Sequence, residues 1–336
     1  MDNPPEIDRF VKSENYRRAL ELPPRQTEEY RFLAQGEYNK NYLFRHPLTG
    51  KKLVLRLNFG SQMGLSRQID YEYGALKLLE RSGRTPAPRY VDGSLKDASF
   101  GVLVMDWLPG RPPEYGSELL RAAPVLADIH SVPVPSGTFL LAPKNPMRAI
   151  LEECETMVKV YMDWPGGREH VKKKLRRLLD AGWTRADTAG DLPYRCCVNT
   201  ELNNTNFLVN DGGTDFLVDW EKPLYSDPAQ DLGHYLAPTT TFWKTDVILT
   251  PRQTENFIDE YLRCAAGRFC TSRLRERTLA YIPVTCLRGV TWCAMAQVEY
   301  QRPDRPIFNP STFKKLSDYL DSAFLARIGA LLGVEL

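Results

Sequence analysis

The sequence predicts an α+β protein of two lobes, a small β-rich lobe followed by a larger helical lobe. Short apolar runs bounded by turn residues crowd the region between residues 30 and 108, whereas helix-spaced apolar patterns dominate the chain beyond it. Pro109-Gly110 closes a buried strand-like run at the junction. We therefore predict an N-terminal helical extension over residues 1–27, a β-rich lobe over 28–108 and a helical lobe over 109–336.

The length and composition of the chain are those of a globular protein as large as a typical enzyme. The chain has 336 residues, enough for two sizeable cores, with 43% hydrophobic and 26% charged residues. Its 44 Lys and Arg residues against 42 Asp and Glu residues leave a formal net charge of +2. Because no bulk basic field is present, the composition does not indicate DNA binding.

Cysteine usage and hydropathy indicate a reducing compartment. The seven cysteines are an odd number and form no paired C-x-x-C elements, so we expect reduced core thiols rather than a zinc site. The first residues carry no basic region followed by an apolar segment, and no run of about 18 apolar residues follows. A cytoplasmic protein without membrane insertion is expected.

The first lobe begins with a predicted helix over residues 5–21, which Pro23-Pro24 ends. Two strand-like runs then flank Gly36, and a residue without Cβ lets the backbone approach a phosphate closely, although such a Gly is also typical of an ordinary turn. A strand over residues 52–57 carries Arg56 within an apolar run. Glu72 lies on the helix that follows it.

The second lobe opens with a helix over residues 119–130 that ends in His130. We expect this His to be a favourable partner of the helix dipole and assign it no chemistry. Two helices follow between residues 147 and 180, and a basic patch on the second spans Lys172–Arg177. We interpret that patch as a solvated helix face, with binding to RNA or an acidic acceptor as the alternative.

A predicted β-hairpin is the centre of the sequence. The runs Phe207–Val209 and Phe216–Val218 flank the turn Asn210–Gly213, and Asn206 and Asp219 stand at the outer ends of the two strands. Antiparallel pairing would bring both side chains close enough to share one hard cation through oxygen atoms. The alternative is that each polar residue is a turn residue or cap.

This order of residues resembles the aminoglycoside phosphotransferase and choline kinase superfamily over roughly residues 30 to 300. The usual pattern there is H-G-D-x-x-x-x-N, followed by a hairpin that ends in a metal-binding Asp. Asn206 and Asp219 match the pattern. Three positions depart from it, because Asn199 stands for the His, Thr200 for the Gly and Glu201 for the catalytic Asp.

The resemblance implies a protein-kinase-like fold that binds a nucleotide in the first lobe. Gly36 and Asn39 would belong to the loop over the nucleotide, where Asn41 also matches a common polar position. Arg56 would contact the α- and β-phosphates and pair with Glu72, because an unpaired charge in such a cleft is costly to bury. The alternative is that Arg56 faces solvent on an edge strand.

The remaining implied roles concern adenine, magnesium and the acceptor. Backbone groups from about Asp106 to Leu108 would take the adenine edge, and Asp231 of the D-P-A-x-D-L segment would support the catalytic loop. The expected site residues are Glu201, Asn206 and Asp219 for catalysis; Gly36, Asn39, Arg56, Glu72, Met105, Asp106 and Leu108 for the nucleotide; Asp231 for support; and Asn206 and Asp219 as metal ligands.

The expected activity is transfer of the γ-phosphate of ATP or GTP to a hydroxyl of a small molecule, with Mg²⁺. The expected partners are thus a nucleoside triphosphate and a small-molecule acceptor. A pseudokinase that binds nucleotide or a partner protein without turnover is the first alternative. An RNA-binding module acting through Lys172–Arg177 is the second.

Overall fold

The computed structural model describes residues 4–36, 38–61, 63–96, 98–186, 192–302 and 310–336. The strands are β1 (Arg31–Gln35), β2 (Asn39–Arg45), β3 (Lys52–Asn58), β4 (Pro88–Asp92), β5 (Gly101–Asp106), β6 (Cys196–Val198), β7 (Phe207–Leu208), β8 (Phe216–Leu217) and β9 (Leu224–Ser226). The α-helices are α1 (Pro5–Val11), α2 (Glu14–Ala19), α3 (Gln68–Leu79), α4 (Tyr115–Glu118), α5 (Ala122–His130), α6 (Pro146–Met162), α7 (Glu169–Ala186), α8 (Pro228–Leu236), α9 (Pro238–Thr245), α10 (Pro251–Ala265), α11 (Leu274–Glu299), α12 (Pro310–Tyr319) and α13 (Ser322–Leu332).

The chain divides into two compact units that do not follow one another along the sequence. Unit 1 consists of Met1–Pro112, Ser131–Leu140 and Thr205–Pro223. Unit 2 consists of Pro113–His130, Leu141–Asn204 and Leu224–Leu336. The β7–β8 hairpin therefore packs with the N-terminal sheet, although helices of unit 2 both precede and follow it in the chain.

Unit 1 is built on an antiparallel five-stranded sheet in the order β1-β2-β3-β5-β4. Side chains alternate between the faces of a strand, so Leu53, Leu55 and Leu57 of β3 share one face. They are buried in one cluster with apolar side chains of α1 and α2. Arg56 consequently points to the opposite face of a central strand, and the edge-strand alternative is wrong.

The N-terminal segment forms two helices where the sequence predicted one. The first helix ends at Val11 with Lys12 as its C-cap, and Ser13 caps the second, because its hydroxyl accepts the Tyr16 N–H at 3.4 Å. Arg17 on α2 is buried and donates to Glu28 at 2.8 Å. A charge at that position interrupts the apolar spacing, yet the ion pair allows the segment to stay packed on the sheet.

Unit 2 is helical and is centred on α11, which packs against α6 and α8. By length and hydropathy this helix could cross a membrane, but a buried core helix has the same properties, and 67% of its apolar window is buried. Pro283 lies inside the helix. Two members of the basic patch on α7 are paired within this unit: Lys172 donates to the Trp164 carbonyl and Arg176 to Glu155.

Candidate active site

Arg56 is held by three side chains of unit 1. Its Nη1 donates to Glu72 Oε1 at 2.5 Å and to Asp219 Oδ1 at 3.2 Å, and its Nε donates to Asn41 Oδ1 at 3.0 Å. The side chains of Arg56 and Glu72 are only 8% and 1% exposed. Because Nη1 is shared by two carboxylates and Nε is bonded to Asn41, two nitrogens of the planar guanidinium are fixed and its direction is determined before any ligand binds.

Burial and pairing act in opposite directions on the two buried charges. Burial raises the pKa of Glu72 above its usual value, and the nearby Arg56 only partly offsets this. Burial would lower the pKa of Arg56, but the carboxylates of Glu72, Asp219 and Glu221 outweigh it, so Arg56 stays cationic. Within the described residues, the second carboxylate oxygen of Glu72 is buried without a hydrogen-bond partner.

The β7–β8 hairpin places Asn206 beside the end of the opposite strand. Phe207 pairs with Leu217, and the Val218 N–H donates to the Asn206 carbonyl at 2.8 Å. Asp219 follows directly, in a left-handed conformation with φ +66°. Such a φ is uncommon for a residue with a Cβ and is found where surrounding structure enforces it.

The donor chemistry at this end of the hairpin fits Mg²⁺. No cluster of three His, Cys, Asp or Glu side chains suited to a metal occurs in the part of the chain that the structure describes. Mg²⁺ does not need one, since it is commonly bound through one or two carboxylates, with phosphate and water oxygens completing its shell. Asn206 and Asp219 supply one amide oxygen and one carboxylate on neighbouring strand ends.

Gly36 and Asn39 lie at the turn between β1 and β2. The Gly36 N–H donates to the Asn39 carbonyl at 2.9 Å, so this amide belongs to the turn. The Asn39 side chain donates to Glu221 Oε2 at 2.5 Å and accepts from Asn58 Nδ2 at 2.8 Å. The structure thus ties Asn39 to Glu221, a residue that the sequence analysis did not single out.

The connector after β5 is held by hydrogen bonds within unit 1. Met105 is buried, and Asp106 pairs through both carboxylate oxygens with Arg89. The N–H groups of Asp106 and Trp107 donate to backbone carbonyls of unit 1, whereas the Leu108 N–H has no partner among the described residues. An adenine edge offers one hydrogen-bond acceptor and one donor. A backbone N–H and a nearby backbone carbonyl on an extended segment can pair with them.

In unit 2, Asp231 fixes the backbone that precedes Glu201. Its two carboxylate oxygens accept the N–H groups of Asn199 and Thr200, each at 2.8 Å. His130 is fully buried against it, with Nε2 3.2 Å from Asp231 Oδ2 and Nδ1 2.7 Å from the Tyr261 hydroxyl. His130 is therefore a partner of Asp231, which its position at a helix end did not reveal.

Thr200 adopts φ +70°, in the position where the resembling family has Gly. A β-branched residue is disfavoured there, whereas Gly adopts this conformation readily. We expect Thr200→Gly to raise the free energy of unfolding by about 1 kcal/mol, measured by urea denaturation. Thr254→Gly, inside α10, is the matched control and should lower it by a similar amount. Equal losses in both variants would contradict the strain at Thr200.

Glu201 meets a cation that the sequence analysis missed. Arg288 Nη2 lies 3.5 Å from Glu201 Oε1, and Arg288 Nε donates to Glu153 Oε2 at 2.9 Å. The Glu201 N–H donates to Asn199 Oδ1 at 3.0 Å, which shows one use of the Asn that stands for the usual His. The signal available in the sequence was a single Arg within the apolar run of α11.

Solved structures with the same fold include several phosphotransferases. A putative aminoglycoside phosphotransferase from Ralstonia eutropha aligns with a TM-score of 0.66 at 13% identity, over 95% of this chain and 97% of its own. An ethanolamine kinase from Plasmodium vivax aligns at 0.61 and 12% identity, over 88% and 83%. Spectinomycin phosphotransferase, in complex with ADP and spectinomycin, aligns at 0.60 and 15% identity, over 90% and 93%.

The five-stranded antiparallel sheet of unit 1 and the helices of unit 2 thus define a protein-kinase-like α+β fold, which confirms the predicted fold class. The model of the phosphotransferase enzyme family matches residues 29–276, most of the chain. The protein belongs to that family, and the resemblance stated from the sequence is confirmed. No curated protein sequence matches the chain.

Proposed function

We propose that this protein transfers the γ-phosphate of ATP or GTP to a hydroxyl group of a small molecule, with Mg²⁺. The observation that carries the proposal is the buried Arg56, held by Glu72 and Asp219 in unit 1. A buried cation on a central strand, paired with the next helix and with the residue after a hairpin, matches the phosphate-binding arrangement of kinases. Membership of the phosphotransferase family supports the same reaction class.

On the nucleotide side, the chain's contribution is positioning and charge. Arg56 would bind phosphate oxygens through its fixed guanidinium, and the backbone at Leu108 would meet the adenine edge. Asn206 and Asp219 would hold Mg²⁺, which supplies neutralisation of the charge that develops on the phosphates. A Cβ at Gly36 would meet no atom of the described residues within 4 Å and φ is not positive, so neither packing nor backbone conformation requires a Gly there. Its missing Cβ would instead let the β1–β2 turn lie close to the phosphates.

On the acceptor side, Glu201 would orient the hydroxyl and take its proton. A carboxylate suits this role because the hydroxyl must donate a hydrogen bond to a negative acceptor before transfer. Relatives of the same fold are described as acting on aminoglycosides, spectinomycin or ethanolamine. Amino alcohols, amino sugars, neutral sugars and nucleosides are therefore the acceptor classes to screen by acceptor-dependent release of ADP or GDP.

Binding of Mg-nucleotide is the first test. We expect millimolar ATP or GTP with Mg²⁺ to raise the melting temperature, because a ligand specific to the folded state stabilises it by about 2.7 kcal/mol at 100 times its Kd. Asp219→Ala should abolish the Mg²⁺-dependent part of the shift. Asp211→Ala changes an exposed Asp in the turn of the same hairpin and should behave as wild type.

The outcomes separate the candidate functions. If wild type shows neither a thermal shift nor calorimetric binding with either nucleotide, both the kinase and the nucleotide-binding pseudokinase fail. Mg-dependent binding without phosphate transfer to any acceptor class would favour the pseudokinase. Transfer to an acceptor, lost in Asp219→Ala and retained in Asp211→Ala, would support the proposed reaction.

A further inference from the structure

Arg288 is a charged residue inside a largely buried helix. Its neighbours on α11, Leu287 and Val290, are fully buried, and its own side chain is 20% exposed. Burial would lower the pKa of Arg288, but the carboxylates of Glu153 and Glu201 outweigh it and keep the guanidinium charged. A charge at this depth is costly to bury unless its partners are fixed, so the two carboxylates are integral to its placement.

The two carboxylates near Arg288 lie on different kinds of element: Glu153 is on a helix and Glu201 is on a loop. Glu153 lies on α6 and accepts from Nε at 2.9 Å, which fixes one edge of the guanidinium. Nη2 is thereby directed towards Glu201 Oε1, 3.5 Å away. Since α6 and α11 pack against each other within unit 2, the arrangement rests on two rigid helices rather than on the loop that carries Glu201.

Hydrogen bonds within unit 2 hold the backbone at Glu201. The backbone before it is fixed by the two hydrogen bonds to Asp231, and its own N–H by Asn199. The side chain has one more rotatable bond than the Asp of the usual pattern. A longer side chain samples more positions, and a misplacement of about 1 Å in a reacting group can cost roughly 100-fold in rate.

We propose that Arg288 is a positioning residue of Glu201 and that, aimed by Glu153, it lets a Glu serve where the family pattern has Asp. The inference rests on the proposed function. Two other ionisable side chains near this region make hydrogen bonds to the backbone of the loop. Asp231 accepts the loop amides, and His234, bonded through Nδ1 to the Leu202 carbonyl at 3.1 Å, is neutral at pH 7 because burial lowers its pKa to about 4.

A double-mutant cycle on kcat tests the coupling. Arg288→Met keeps an unbranched, flexible side chain but removes the guanidinium, and it should reduce kcat by about 10- to 100-fold with the KM for nucleotide unchanged, because the loss lies in orientation of Glu201. In a Glu201→Gln background the same change should cost less than about 3-fold, since the group it positions is already disabled. Additive losses would overturn the inference.

Arg275→Met is the matched control. Arg275 lies on the same helix and pairs with Glu255 and Asp259 of α10. If loss of any ion pair on α11 lowered kcat by loosening the helix, this variant would show it as well. We expect kcat within about 2-fold of wild type, because partly exposed pairs contribute about 0–1 kcal/mol to stability.

Titration of the Glu201 carboxyl provides a readout without turnover. With ¹³C-labelled glutamate, the resonance assigned by Glu201→Gln should titrate at higher pH in Arg288→Met, because a cation 3.5 Å from the carboxylate favours its charged form. An unchanged pKa would overturn the inference. If wild type transfers phosphate to no acceptor, the proposed function fails and the inference with it; an active wild type with an additive cycle refutes the inference alone.

Discussion

Glu201→Gln is expected to reduce kcat by about 10²- to 10⁴-fold while the Kd for Mg-nucleotide stays near the wild-type value. The amide keeps the size of the side chain but cannot accept the proton of the acceptor hydroxyl. Arg56, Asn206 and Asp219 are unchanged in this variant, so nucleotide binding should persist. Acceptor-dependent ADP or GDP release and calorimetry measure the two quantities separately.

Two further variants serve as a control and as a test of side-chain length. Glu169→Gln makes the same chemical change at a highly exposed position of α7 and should leave kcat unchanged. Glu201→Asp restores the usual residue but withdraws the carboxylate from Arg288. Wild-type turnover in Glu201→Gln would remove Glu201 from the reaction, and a faster Glu201→Asp would show that the longer side chain is a handicap.

Arg56→Met is expected to lower the free energy of unfolding at pH 7 by about 3–5 kcal/mol and to abolish nucleotide binding. Removing one partner of a buried ion pair leaves the other charge uncompensated, and Glu72 is almost fully buried. Urea denaturation measures the first effect and calorimetry the second. The double variant Arg56→Met/Glu72→Leu should regain much of the stability, because both buried charges are then gone.

The stability deficit of Arg56→Met should depend on pH in a defined direction. Burial raises the folded-state pKa of Glu72, and loss of Arg56 raises it further. The folded state then holds its proton more tightly than the unfolded state, whose pKa is about 4.3. The deficit should therefore be full above the folded-state pKa and shrink as pH falls through it. A deficit equal at pH 7.5 and 5.5 would contradict this account.

Glu72→Ala tests the orientation of the Arg56 guanidinium while its positive charge is retained. It leaves Arg56 with Asn41 and Asp219 as partners, so the fold should persist with a smaller loss of stability than in Arg56→Met. Nucleotide affinity should still weaken, because one of the three acceptors that aim the guanidinium is gone. Unchanged affinity would place Arg56 elsewhere than on the phosphates.

Local patterns in the sequence were sufficient for the sheet and the hairpin. The pairing of Arg56 with Glu72, 16 residues apart, was implied by the family resemblance, and the structure joins the two side chains directly. The Asn-Asp-Gly-Gly turn between two apolar runs marked the β7–β8 hairpin. The paired strands of the hairpin are consecutive elements, so periodicity and turn chemistry carry the information there.

Contacts between distant elements that the family resemblance does not imply could not be predicted from the sequence. Arg288 and Glu201 are brought together by the packing of α11, and no spacing rule links an Arg on a core helix to a loop so far upstream. The left-handed backbone of Thr200 was equally hidden, because a β-branched residue is a poor predictor of positive φ. The division of the N-terminal helix at Ser13 depended on a cap that the apolar spacing masked.

Because unit 1 is discontinuous in sequence, its segments leave the ribosome at different times. The sheet strands are complete by residue 112, but Asp219 and the hairpin that belongs to this unit arrive only with Thr205–Pro223. At a translation rate of about 5–20 residues per second, that segment is synthesised on the order of 10 s after the sheet strands. Throughout this interval Arg56 lacks one of its carboxylates, so we expect a fragment ending at residue 112 to be less stable than the same residues within the whole chain.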